Sequence, residues 1–245
     1  MVNFSRLPQK SFLGGITRFF LNFIPDTWVL RILQGPLRGK KWVKGSGVNG
    51  YWLGSYEPKN QKLFQGLIKR GDTVFDIGAH VGFYSLLFSQ LVGPGGKVFA
   101  FEPLSRNVQL LKKHTGLNNI SNVVVVECAV AETEGEQFFS ESAGNSLGMI
   151  TNVPQLTKVK TVSLDEFVKN GKIVPNFLKI DVEGAELLVL SGAKELLFKH
   201  HPVIFLAIHN NEMRGGCVAL FRRFGYRPSI LFEDPLNGIY ELLCE

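Results

Sequence analysis

The sequence predicts a doubly wound α/β domain, and three observations predict it. Val74-Phe75-Asp76-Ile77-Gly78-Ala79-His80-Val81-Gly82-Phe83 reads as a buried strand entering a tight glycine turn and then a helix. Short apolar, β-branched runs then alternate with stretches of helical period along the rest of the chain. Finally, two strand-like runs flank Pro235-Leu236-Asn237-Gly238, the composition of a hairpin that would close the sheet.

The N-terminal stretch carries Phe12, Leu13, Ile16, Phe19, Phe20, Phe23 and Ile24 at helical spacing, which predicts an amphipathic helix. Leu30 to Leu33 and Lys41 to Lys44 flank Gly35, Pro36 and Gly39 and predict a hairpin. Asn60 to Lys69 reads as a helix over the first strand. The core then follows as strand Thr73 to Ile77, helix Phe83 to Leu91, strand Lys97 to Phe101, helix Ser105 to Thr115 and strand Val123 to Glu127.

Glu132 to Val162 breaks this rhythm. β-like pieces at Gln137 to Phe139 and Val159 to Val162 surround Ala143-Gly144-Asn145-Ser146-Leu147-Gly148, a polar loop of the kind that covers a site and sets acceptor specificity. Alternation resumes with strand Phe177 to Ile180, helix Ala185 to Leu197 and strand Val203 to Ile208, before the hairpin of Tyr226 to Phe232 with Ile239 to Leu243. The division expected is an extension over residues 1–47 and a catalytic domain over 48–245.

Charge is unevenly spread. Residues 1 to 70 hold twelve Lys or Arg against two acids, whereas 71 to 245 hold fifteen against nineteen, so the net +6 belongs to the N-terminal third. The acidic balance of the remainder argues against nucleic acid as a partner. The N-terminal helix is expected to cap the catalytic domain or pack in a homodimer, with peripheral membrane contact through residues 1–30 as the competing reading, because aromatic residues beside basic ones suit an anionic interface. Arg18 splits its apolar run, which argues against both a membrane span and a signal peptide. Cys128, Cys217 and Cys244 are odd in number, far apart and without a C-x-x-C pair, which argues against a disulfide framework or zinc site and for a cytoplasmic location.

The turn also bears on the ligand. A dinucleotide turn follows G-x-G-x-x-G, yet here Asp76 stands where the first glycine should be, and a carboxylate there would repel a pyrophosphate. S-adenosylmethionine has no phosphate; its amino group and sulfonium are cationic, and its carboxylate can use free N–H groups at a helix start. Asp76, Gly78, His80 and Gly82 are therefore candidate cofactor contacts. Glu102 ends the next strand 26 residues on, where an acid can accept from both ribose hydroxyls. Glu127, Cys128 and Ala129 follow the third strand, where backbone and side chain could read the adenine edge.

Those segments, together with Phe177-Leu178-Lys179-Ile180-Asp181-Val182-Glu183-Gly184-Ala185-Glu186 and the upstream Tyr51-Trp52-Leu53-Gly54-Ser55-Tyr56-Glu57, resemble the signature of FkbM-type S-adenosylmethionine-dependent methyltransferases over roughly residues 48 to 210. The resemblance implies a Rossmann-like class I fold: a mostly parallel seven-stranded sheet with a C-terminal antiparallel hairpin, here with an N-terminal helical and hairpin extension. It implies methyl transfer to the hydroxyl of a small-molecule acceptor such as a sugar, glycolipid or secondary metabolite, releasing S-adenosylhomocysteine. It also implies that Glu57 lies near the cofactor amino group, that His80 stands where the family often has Asn, and that Cys128 stands where many class I enzymes have Asp.

Methyl transfer needs alignment, exclusion of water and removal of the acceptor proton, so candidates for the chemistry are acids and histidines at the carboxyl ends of the central strands. Asp181 follows its strand directly and could meet the sulfonium or the acceptor; otherwise it caps the next helix. Glu183 is next, with Glu186 in a first helical turn where a carboxylate is favoured anyway. His209 ends the following strand, and its near-neutral intrinsic pKa suits a general base. Asp181, Glu183 and His209 could in principle hold Mg²⁺, but they are scattered in sequence and the family does not require it, so no metal is expected. His114, His200 and His201 read as solvent-facing. A nicotinamide-dependent dehydrogenase and a non-catalytic scaffold retaining the fold are the alternatives in other classes.

Overall fold

The computed structural model describes residues 24–141, 148–151 and 157–245. Most of the predicted N-terminal helix and of the loop around Asn145 therefore lie outside the described residues. Among those described, no helix is long and apolar enough to cross a membrane.

Strands β1 (Val29–Arg31) and β2 (Lys41–Val43) form the predicted antiparallel hairpin, followed by helices α1 (Gly50–Leu53) and α2 (Pro58–Leu67). The hairpin is packed into the core by Trp42, fully buried and stacked 3.7 Å from the ring of His114. His114 is buried too, which corrects the solvent-facing expectation. It lies on the inner face of its helix, where Nδ1 meets the Val81 carbonyl at 2.8 Å and Nε2 accepts from the Val43 N–H at 3.2 Å. Burial pushes its pKa down to about 4, so the imidazole is neutral and serves as a fixed donor and acceptor between hairpin and core.

The alternation is then β3 (Thr73–Ile77), α3 (Phe83–Val92), β4 (Lys97–Phe101), α4 (Ser105–Leu117) and β5 (Val123–Val126). After the middle segment come α5 (Leu164–Gly171), β10 (Phe177–Ile180), α6 (Glu186–Ser191), α7 (Lys194–His200), β11 (Val203–Ile208), α8 (Asn211–Arg223), β12 (Pro228–Asp234) and β13 (Ile239–Cys244). The main sheet has the order β12-β13-β11-β10-β3-β4-β5, parallel except for the terminal hairpin, as the resemblance implied. Alternate residues of its central strands feed two cores: Phe75, Ile77, Phe99 and Phe101 face one, Val74 and Val98 the other. A strand with helices on both faces must be apolar on both, which is why these runs read as nearly continuous.

Three features depart from the expected elements. The middle segment forms its own sheet, ordered β6-β9-β7-β8, from β6 (Ala129–Val130), β7 (Gly135–Glu141), β8 (Gly148–Thr151) and β9 (Thr157–Val162). The single helix expected over Ala185 to Leu197 is two, because Gly192 sits where a Cβ would lie 2.1 Å from the Ala131 carbonyl oxygen, and Asp165 caps the second piece by accepting from the Glu195 and Leu196 N–H groups at 3.0 and 2.8 Å. Helices α1, α5 and α8 are additional, and Ser163 caps α5, accepting from the Glu166 N–H at 3.2 Å.

Candidate functional site

The carboxyl ends of β3, β4 and β10 open onto one cavity of about 380 Å³, a size suited to a cofactor or drug-sized ligand. The glycine turn forms one wall. Gly78 has φ +76° and a Cβ there would lie 1.9 Å from the Asp181 carbonyl oxygen, so only glycine lets β3 and β10 end so close together. Gly78 and Ala79 both donate to the Phe101 carbonyl, at 3.1 and 3.0 Å. Gly82 is not on the wall; its lack of a side chain lets α3 approach Leu111 of α4.

Glu102 lines the cavity from the end of β4, almost fully buried. Its carboxylate accepts from the His80 N–H at 2.9 Å, the Leu104 N–H at 3.1 Å and the Asn107 amide at 3.0 Å. Burial raises its pKa and these three donors oppose the rise. A carboxylate has about four lone-pair sites, so these three donors leave one. That supports one strong hydroxyl contact where two were expected. His80 lines the wall beside it at φ +52°, and burial, with Lys179 nearby, pushes its pKa down to about 4.

Cys128 and Ala129 also line the cavity, and burial pushes the Cys128 thiol up to about 12. Glu127 does not. It points outward, accepting from the Ser105 hydroxyl at 2.6 Å with Lys112 at 3.8 Å, because the β5 end places successive side chains on opposite faces. Glu57 lies behind the wall, taking the Tyr84 hydroxyl at 2.5 Å and the Asn60 amide at 3.2 Å. It holds in place Tyr84, which lines the cavity together with Tyr51, Tyr56 and Phe83.

Asp76 requires the largest correction. It is fully buried off the cavity wall, accepting from the Ser85 hydroxyl at 2.6 Å and lying 3.5 Å from Lys179 Nζ. The register explains this, since Lys179 of β10 stands directly opposite Asp76 of β3. Lys179, missed in the sequence, links three parts of the site: Asp76, the Gly78 carbonyl at 3.1 Å and Asp181 at 3.2 Å. Its signal was there to be read, because a lysine inside a fully apolar strand is seldom buried without a partner.

Asp181 and Glu183 also line the cavity, and His209 stands beside them. His209 Nε2 is 3.5 Å from Asp181 Oδ1 and 3.7 Å from Glu183 Oε1, while Nδ1 is 3.3 Å from Glu186 Oε1. Residues scattered in sequence thus converge, contrary to the premise on which a metal was set aside. Burial would depress the His209 pKa, but the carboxylates of Glu186, Asp181 and Glu183 outweigh it and raise it to about 9. The isolated site therefore holds an imidazolium at neutral pH, which corrects the near-neutral base expected. Burial would raise Asp181, yet Lys179 and His209 hold it below the usual range; Glu183 is raised, chiefly by burial. Glu183 has φ +53°, a left-handed conformation that costs about 1–3 kcal/mol in a non-glycine residue and recurs at functional sites.

Comparison with known proteins adds to this geometry. The profile of the methyltransferase FkbM domain matches residues 76–228. The chain is 30% identical over 187 residues to the hexuronic acid methyltransferase AglP of Haloferax volcanii, covering 75% of this chain and 67% of that protein. It is 24% identical over 204 residues to the 31-O-demethyl-FK506 methyltransferase FkbM of Streptomyces tacrolimicus, covering 69% and 77% respectively. Among solved structures, the methyltransferase FkbM of Methylobacillus flagellatus superposes with a TM-score of 0.51 at 17% identity over 76% of this chain, which spans half the length of that one.

Proposed function

The chain belongs to the FkbM methyltransferase family, and on that premise we propose that it transfers a methyl group from S-adenosylmethionine to a hydroxyl of a sugar-bearing or other small hydroxylated metabolite. The observation that carries this reading is a single cavity with Glu102 in one part of its wall and Asp181 with Glu183 in another. In the proposed pose the spare lone pair of Glu102 accepts from the ribose. The edge of Cys128 and Ala129 faces the adenine. Asp181, held ionised, offsets the positive charge of the donor.

The acceptor hydroxyl then docks toward Glu183 and His209. A carboxylate whose pKa burial has raised is a better proton acceptor than an ordinary one, so Glu183 is the base and the charged His209 holds Asp181 and Glu183 in position. The sulfonium carries its own activation, so alignment supplies the remaining acceleration. The names of the two relatives, one a hexuronic acid methyltransferase and the other a 31-O-demethyl-FK506 methyltransferase, support a hydroxylated acceptor.

The test is S-adenosylhomocysteine release measured across a panel of hexuronic acids, glycosides and hydroxylated polyketides. Release with an oxygen-bearing acceptor, at a rate at least tenfold above donor alone, is the expected result. No release with any of them, together with no S-adenosylmethionine binding, would overturn the reading.

A further inference from the structure

We propose that Asp181, Glu183 and His209 form a binding site for one divalent cation of the Mn²⁺ or Mg²⁺ class at the acceptor end of the cavity. Two adjacent parallel strands, β10 and β11, deliver the three side chains to one place. One ligand atom from each lies within 4.8 Å of the others. The separations of 3.5 and 3.7 Å from His209 Nε2 to Asp181 Oδ1 and Glu183 Oε1 exceed the hydrogen-bond range of about 2.7–3.2 Å. Ligands at right angles on an ion with bonds of about 2.1 Å stand about 3 Å apart, and about 3.4 Å for bonds of 2.4 Å, close to the two separations from His209.

Glu186 supplies an independent observation. It is fully buried, and its Oε2 has no hydrogen-bond partner among the described residues. Its Oε1 takes the Gly184 N–H at 2.9 Å and faces His209 Nδ1 at 3.3 Å. A carboxylate on the outer ring nitrogen fixes the tautomer and aims the other nitrogen at a metal, the arrangement that accompanies most metal-bound histidines. An orphaned carboxylate oxygen at zero exposure is costly unless positive charge is near. Asp181, Glu183 and Glu186 all lie within 3.7 Å of the one His209 ring, so three carboxylates converge where a cation would be held.

The donor set indicates the class of ion. Two carboxylates and one imidazole, without a thiolate, favour oxygen-preferring divalent cations that tolerate one nitrogen, and three protein ligands leave positions open. The ion displaces the Nε2 proton when it binds. Its part in the reaction rests on the methyl-transfer reading: with Glu183 coordinating instead of acting as base, an acceptor hydroxyl on the ion would be more acidic and would give its proton to water. Its oxygen lone pair then forms the O–C bond while the C–S bond breaks and that pair returns to sulfur, leaving a neutral thioether.

Mn²⁺ alone tests the site, added to chelator-stripped full chain and followed by electron paramagnetic resonance and water-proton relaxation. We expect one Mn²⁺ per chain with fast-exchanging water on it, displaced by Mg²⁺. We also expect at least tenfold weaker binding in Glu183→Gln and His209→Gln and unchanged binding in Glu195→Gln, an exposed control. If a variant does not fold, the wild-type melting temperature in Mn²⁺ against chelator serves, with an increase expected. No Mn²⁺ bound by the wild type, or equal affinity in the site variants and the control, overturns the proposal. Methyl transfer in chelator without Mn²⁺ binding removes the metal and leaves the donor reading intact; Mn²⁺ binding without S-adenosylmethionine binding does the reverse.

Discussion

Replacing Lys179 with Met removes the cation that joins Asp76, Asp181 and the Gly78 carbonyl while leaving most of the side-chain volume in place. Lys179 is 2% exposed and Asp76 is fully buried, so the variant leaves Asp76 with Ser85 as its remaining partner among those described. Breaking a buried ion pair from one side costs about 3–5 kcal/mol. At about 2–4 °C per kcal/mol for a chain of this size, Lys179→Met should melt about 6–20 °C lower at pH 7. The pH dependence has a definite sign. Burial already raises the Asp76 pKa in the wild type, so its favourable contribution is present in acid and is lost as pH rises through the folded value. Without Lys179 that value rises further, and Asp181 loses the cation that depresses its own. The penalty of the variant should therefore shrink from pH 7 to pH 5. Thermal unfolding followed by near-UV circular dichroism at both pH values measures this. A decrease below about 3 °C at pH 7, or a penalty that grows in acid, would refute the role given to Lys179.

Gly78→Ala adds a Cβ 1.9 Å from backbone that has no flexible end to move, at φ +76°; it should lower stability by more than about 3 kcal/mol and abolish donor binding, read by denaturant titration and calorimetry. His209→Gln should spare donor affinity while slowing turnover, by less than the roughly 10²- to 10⁴-fold expected of Glu183→Gln at the base itself, read as a decrease in kcat with an unchanged donor Kd. The same residue predicts a stability profile in chelator. Its folded pKa of about 9 lies above the ordinary 6.5, so its contribution, on the order of 3 kcal/mol, is present below about pH 6.5 and fades as pH rises through 9. A wild type that loses no more stability over that window than His209→Gln would count against the imidazolium network.

The parts of this protein that were legible are those where one physical constraint acts alone. Strands buried on both faces are continuous apolar runs, so β3, β4, β10 and β11 fall on the expected residues. Gly78 was legible because no other residue tolerates that turn. Helix α8 was hidden by Gly215 and Gly216, which lower helix propensity at its centre, although Asn210 caps it by accepting from the Glu212 N–H at 2.8 Å. Helix α5 was readable in principle from Ser163 and Glu166, the spacing of a capping box.

At the site, sequence position marked Glu102 and Asp181 but not which way neighbouring acids face. Asp76 and Glu127 are one strand position from the cavity and turned from it, a difference of pleat that composition does not record. The left-handed backbone at Glu57, His80 and Glu183 is likewise imposed by tertiary packing on residues that do not prefer it. The convergence of His209 with Asp181 and Glu183 depends on β10 and β11 being neighbours, information that lies in strand order.

The central claim is that the cavity between the glycine turn and Glu102 binds S-adenosylmethionine. Isothermal titration of the full chain with S-adenosylmethionine, with NADH as the competing ligand, tests it most directly when repeated on Glu102→Ala. The account predicts one donor bound per wild-type chain, no NADH bound, and a loss of about 1–3 kcal/mol in the variant, roughly 5- to 150-fold in Kd. NADH binding, or a donor affinity that Glu102→Ala leaves unchanged, would contradict it.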